Sequence, residues 1–137
     1  MARSMPQNKE AEMSVLGVAF LNNNEVSKIV EEVNEDMFYD DRNKKLFQAI
    51  KSLHEQSIAI DVTTVSDELD KTKNFSAVGG IEYLTEVIDS VATAANLDYY
   101  INIIKEKAIV RNLINTATDI VTEAYEEEDN VTSLLDT

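Results

Sequence analysis

The sequence predicts an all-α fold, and two observations carry that reading. Apolar residues recur at helical spacing in one window after another, and only 3 Gly and 1 Pro stand in 137 residues, which leaves few turn formers. The architecture this predicts is a compact bundle of about five or six helices. A long C-terminal helix projects from it as part of a truncated helical hairpin.

Met1 to Met5 show no periodicity and are set apart as a disordered or cloning-derived tail. Pro6 suits a first helical turn, where its missing N–H costs nothing, and Ala11, Val15, Leu16, Ala19 and Phe20 then line one apolar face until Asn22-Asn23-Asn24. A short second helix carries Val26, Ile29, Val30 and Val33, and a third starts near Asp40 or Asp41 with Leu46, Phe47, Ile50 and Leu53 inward. Ser57 to Ile60 reads as extended or loop. Asp61 is an N-cap for a helix burying Val62, Val65 and Leu69, and Lys71 to Ser76 is a polar connection. Gly79-Gly80 lets the backbone turn tightly or a neighbour approach before a helix with Ile81, Leu84, Val87 and Ile88. A phosphate-binding loop would need further glycines, a lysine and a hydroxyl residue at set spacing, and none follows.

From Thr93, a plausible N-cap, a helix runs to about Tyr125 through Leu97, Tyr100, Ile101 and Ile104, and then through Val110, Leu113, Ile114, Ala117, Ile120, Val121 and Ala124. About thirty residues extend on the order of 45 Å, more than a domain of this size is wide, so the far half projects. A projecting apolar stripe packs on a second helix or another subunit. Glu126-Glu127-Glu128-Asp129 then interrupts the helix, with Val131, Leu134 and Leu135 opening a returning one. The domains expected are a globular body over 6–109 and a projecting helix with the start of a hairpin over 110–137.

Composition excludes several chemistries. Without cysteine there is no disulfide framework, cysteine-ligated zinc or thiol nucleophile. The single histidine, His54, reads as a surface or helix-end residue, with no partner at triad or metal-site spacing. No apolar run reaches the ~18 residues a membrane span needs, so the chain is expected to be soluble and cytoplasmic. A formal charge of −14, from 26 acids against 12 bases, repels a phosphate backbone. The acidic run at 126–129 is either a solvated turn, the favoured reading, or a docking site for a basic partner. Arg42-Lys44-Lys45 and Lys105-Lys107-Arg111 are the basic clusters, the latter open to a phosphate or acidic contact or to pairing with Glu106. Tyr83 lies off the face of Ile81, Leu84 and Ile88, and is therefore expected to be partly exposed, at an interface or as a rim residue packed on the long helix.

Five segments occur in an order that resembles one family. They are Pro6-Gln-Asn-Lys-Glu-Ala-Glu-Met-Ser-Val-Leu-Gly17, Met37-Phe38-Tyr39 leading to Leu46-Phe47, Ile60-Asp61-Val62-Thr63-Thr64-Val65, Gly79-Gly80-Ile81-Glu82-Tyr83-Leu84, and Thr93-Ala94-Ala95-Asn96-Leu97 running into Tyr99-Tyr100, Lys107 and Arg111. Together they resemble the N-terminal domain of DnaB-type replicative DNA helicases. The chain departs from that pattern at Asn43, where the family often has His, and at Ala92, where it often has Pro.

The resemblance implies a collar on a hexameric, ATP-dependent helicase whose motor is absent here. No catalytic residue is therefore carried over, and this piece is expected to have no ATPase activity and no cofactor; ATP and magnesium belong to the motor. It implies pairing of N-terminal domains, with Val110, Leu113, Ala117, Val121 and Ala124 for oligomerisation, and receipt of primase's C-terminal helicase-binding domain through Tyr83, Ile114 and Ile120. A helicase loader is a further possible partner, and DNA is reached through the parent protein. The alternative is a stand-alone helical adaptor that binds helicase, loader or primase.

Overall fold

The computed structural model describes residues 4–136. Of the predicted tail, residues 1–3 lie outside the described residues, as does residue 137 at the end of the predicted hairpin. The described residues form seven α-helices and two 3-10 turns, with no strand among them: α1 Lys9–Leu21, a turn Asn23–Glu25, α2 Val26–Glu32, a turn Glu35–Met37, α3 Asp41–Glu55, α4 Val62–Lys71, α5 Phe75–Val78, α6 Gly80–Asp89 and α7 Leu97–Asp136.

α1 is the axis of the body and packs against α3, α6 and α7. The sequence predicts one apolar face for it, but Ala11 to Ala19 are all buried. Gly17 makes the tight side possible: a Cβ there would lie 2.6 Å from the Val87 carbonyl oxygen of α6. Pro6 stands before the helix, because Asn8 is the cap, its Oδ1 accepting from Ala11 N–H at 3.0 Å. Phe38 and Phe47, 5.3 Å apart between ring centres, fill the core with Leu16, Ile29, Leu46, Ile50, Leu84 and Ile104.

The aspartates at Asp40 and Asp61 do cap helices. Asp40 accepts from Arg42 N–H at 2.9 Å, and Asp61 forms a capping box with Thr64 at 2.7 and 3.0 Å. The non-helical stretch before Asp61 is held by Asn23, which accepts from Ile60 N–H and donates to its carbonyl. Lys71 to Ser76 is not wholly a connection, since Lys71 ends α4 and Phe75 begins α5. Gly79 and Gly80 take φ of +106° and +63°, two successive left-handed residues that end α5 and aim α6.

Two boundaries of the long helix differ from expectation. Thr93 accepts from Ala95 N–H in a turn, and α7 starts at Leu97. At the other end the acidic run does not interrupt the helix, which passes through residues 126–129 to Asp136, so no hairpin turn forms there. Nothing in the run is a breaker: there is no Gly or Pro after Gly80, and Glu is a good helix former.

Candidate interaction surface

α7 leaves the body at a defined point. Leu97, Ile101, Ile104 and Ala108 are buried on one face, and Arg111 makes the last buried contact at 7% exposure. Its guanidinium donates to the carbonyls of Pro6 at 2.9 Å, Met37 at 3.1 Å and Asp36 at 3.5 Å, and stands 5.5 Å from the Tyr39 ring centre. A buried cation is held here by carbonyl dipoles rather than by pairing with Glu106. Beside it an open cleft of about 720 Å³ is lined by Tyr39, Lys44, Lys105, Arg111 and Asn112, so the two basic clusters of the sequence converge there.

Every described side chain from Asn112 to Leu135 is exposed. An α-helix advances about 100° per residue, which places Val110, Leu113, Ile114, Ala117, Ile120, Val121 and Ala124 on one stripe, facing away from the buried side of α7. Among its larger residues, exposure ranges from 38% at Ile114 to 66% at Leu113. A helix fixed at one end that carries such a stripe over residues 110–124 presents a surface of the kind that association covers.

Tyr83 belongs elsewhere. It is 3% exposed, which corrects the expectation of partial exposure, and it lies in the seam of α1, α3 and α6. Its hydroxyl donates to Asn43 Oδ1 at 2.5 Å, and Asn43 Nδ2 donates to Glu12 Oε1 at 2.9 Å. Glu12, 1% exposed, also accepts from the backbone N–H groups of Tyr39 at 2.9 Å and Asp40 at 3.3 Å. The Arg42 guanidinium stacks over the Tyr83 ring at 4.0 Å and holds Asp40 through Nε at 3.2 Å and Nη2 at 3.0 Å. Burial pushes the Asp40 carboxyl up, but the hydrogen bonds from Arg42 outweigh it, and Asp40 titrates below its ordinary value.

Burial, reinforced by the nearby Asp40 carboxylate and opposed by Arg42, pushes the Tyr83 phenol up to about 12. A raised pKa means the fold favours the protonated phenol, so its stabilisation is complete below pH ~10, the unfolded value, and is lost as pH climbs toward 12. Tyr83→Phe is therefore expected to be about 1–2 kcal/mol less stable at pH 7, having orphaned the buried Asn43 carbonyl. Its stability deficit should shrink between pH 10 and 12, measured as the difference between paired urea curves; a constant deficit would assign the cost to something other than this hydroxyl.

The sequence did not reveal this network, since Glu12 looked like one acid among 26. His54 sits in the last turn of α3 with Nε2 3.4 Å from Ser27 Oγ. No group of three or more His, Cys, Asp or Glu side chains is placed to hold a metal among the described residues. None of their helices is long and apolar enough to cross a membrane.

These features define a helical domain whose last helix leaves the body with its apolar stripe exposed. Residues 4–106 match the family model described as the DnaB-like helicase N terminal domain, and the chain belongs to that family. It is 43% identical over 133 residues to the replicative DNA helicase DnaC of Bacillus subtilis, and 38% identical over 134 residues to the replicative DNA helicase DnaB of Geobacillus stearothermophilus. Those alignments cover 97% and 98% of this chain but only 29% and 30% of the relatives, so the chain spans under a third of their length. Among solved structures, the N-terminal domain of DnaB helicase from Mycobacterium tuberculosis superposes with a TM-score of 0.85 at 34% identity, over 89% of this chain and 88% of that one. The N-terminal domain of DnaB helicase from Helicobacter pylori, described with its interactions with primase, shares the fold at a TM-score of 0.76 and 24% identity, over 85% of this chain and 91% of that one.

Proposed function

We propose that this chain is the collar domain of a replicative helicase, serving assembly of the helicase and recruitment of primase. The observation that carries the reading is the exposed stripe on α7, in a chain whose family is that of helicase N-terminal domains. Val110, Leu113, Ala117, Val121 and Ala124 form the assembly contact; Ile114 and Ile120, beside them on the same helix, are offered to primase. Tyr83, being buried, acts on any partner only by fixing Arg42 and the Asp40 turn against the body. The parent protein unwinds DNA with ATP and magnesium in a separate motor, in the cytoplasm, and a loader is a further partner of the assembled helicase. Nothing in the charge of this piece favours direct contact with DNA, since −14 repels phosphate.

Titration of the chain with the C-terminal helicase-binding domain of its primase tests the recruitment reading. Saturable binding is expected, weakened at least tenfold by Ile120→Asp while the circular-dichroism spectrum is unchanged. Equal binding by the variant, or none by either protein, would contradict the assignment of these residues to primase.

A further inference from the structure

Arg111 is a buried cation without a counter-ion. Three backbone carbonyls hold its guanidinium, and no carboxylate pairs with it among the described residues. Carbonyl dipoles solvate such a charge without cancelling it, and a charge removed from water gains most from an anion brought close. Two more cations line the same cleft of about 720 Å³: Lys44 from α3 and Lys105 from α7.

Both lysines are half-buried, yet neither has an ion-pair or hydrogen-bond partner among the described residues. Their helices withhold one. Lys105 has no acid three or four positions to either side. Lys44 has Asp40 and Asp41 in the turn before it, but Arg42 binds the first and Lys45 the second. Asp36 is the one acid among the described residues lining the cleft, against three cations. In a chain of 26 acids and 12 bases, the charge balance is inverted at this place.

We propose that this cleft at the foot of α7 binds a short acidic segment of a partner protein, its carboxylates meeting Lys44 and Lys105 beside Arg111. The walls supply what a peptide needs besides charge. The side-chain amides of Asn34, Asn112 and Asn115 offer both donors and acceptors, as a peptide backbone does, and Met37 and Ile109 give apolar surface to an aliphatic side chain. A phosphate ester would use the cations and leave the amide acceptors and the apolar wall idle. A nucleic-acid strand long enough to leave the cleft would run along a protein of net charge −14, whereas a segment with a few carboxylates needs only the local inversion. No residue of the α7 stripe lines the cleft, so the site stands independently of the collar reading.

The test uses the intact chain and the fluorescein-labelled peptide Glu-Leu-Glu-Glu-Leu-Glu, followed by fluorescence anisotropy at low salt, where screening is weak. Saturable binding is expected, weakened at least tenfold by Lys44→Glu and by Lys105→Glu, with unchanged circular-dichroism spectra because neither side chain has a partner in the fold. Lys105→Gln, which removes a charge without adding its opposite, should weaken binding by a smaller factor. Lys71→Glu makes the same change of net charge at an exposed position of α4, outside the cleft, and should bind as the native chain does. Equal weakening by Lys71→Glu would reduce the effect to net charge and overturn the site. So would no binding, or binding that ignores both cleft variants. Displacement of the labelled peptide by pyrophosphate or a short oligothymidylate, at concentrations no higher than the unlabelled peptide requires, would overturn the acidic-peptide assignment and give the cleft to a phosphate ligand.

Discussion

Glu12→Ala is expected to remove about 3–5 kcal/mol of folding stability, a large share of what a domain of this size possesses. The side chain is buried in the first turn of α1 and its two oxygens serve three donors: the N–H groups of Tyr39 and Asp40, and Nδ2 of Asn43. Alanine removes all three acceptor contacts at once, and each donor left dry costs roughly 1–3 kcal/mol before the site relaxes. The loss does not stay local. Asn43 holds the Tyr83 hydroxyl, and the Tyr39–Asp40 turn caps α3, so α1, α3 and α6 lose a common anchor. Glu12→Gln keeps an acceptor oxygen and the side-chain volume, and should cost about half as much. Urea denaturation of the three proteins measures both values; a midpoint for Glu12→Ala that implies less than about 1 kcal/mol would mean the network is not what joins these helices.

Leu113→Asp should behave in the opposite way, leaving the fold intact and removing association. The leucine is exposed in the single chain, so its replacement should change monomer stability by no more than about 0.5 kcal/mol. In an assembled pair it would be covered, and burying a leucine side chain contributes roughly 1.5–3 kcal/mol, which the variant replaces by a desolvated carboxylate. The two copies of the change add, so dissociation should strengthen on the order of 100-fold or more. Sedimentation equilibrium of the two proteins reads this directly, and equal association constants would place the contact somewhere other than this stripe.

What the sequence disclosed was what periodicity and capping chemistry encode. Asp40 and Asp61 were readable as caps because an aspartate before an apolar helical repeat has one common use. The inward faces of α2 and α3 followed from spacing, and so did the stripe of α7, because both depend on residues close in sequence. Tyr83 was misplaced because α6 carries apolar residues at 81, 83, 84, 87 and 88, which admit two faces; the polar partner that selects the one through Tyr83 lies 40 residues away at Asn43. Arg111 was hidden for the same reason, its carbonyl acceptors being 74 to 105 residues distant. The continuity of α7 through its acidic run was missed by reading charge as a turn, although helix propensity favoured continuation.

Hydrogen–deuterium exchange of the intact chain at a series of concentrations tests most directly whether the exposed length of α7 is a contact surface. Without a partner, residues 112–135 have little packing to hold their backbone hydrogen bonds closed, and should exchange far faster than α1. The account predicts that this segment becomes protected as concentration rises, with α1 unchanged, and that Leu113→Asp abolishes the protection. Exchange that is slow at every dilution, or that stays fast however concentrated the protein, would contradict it.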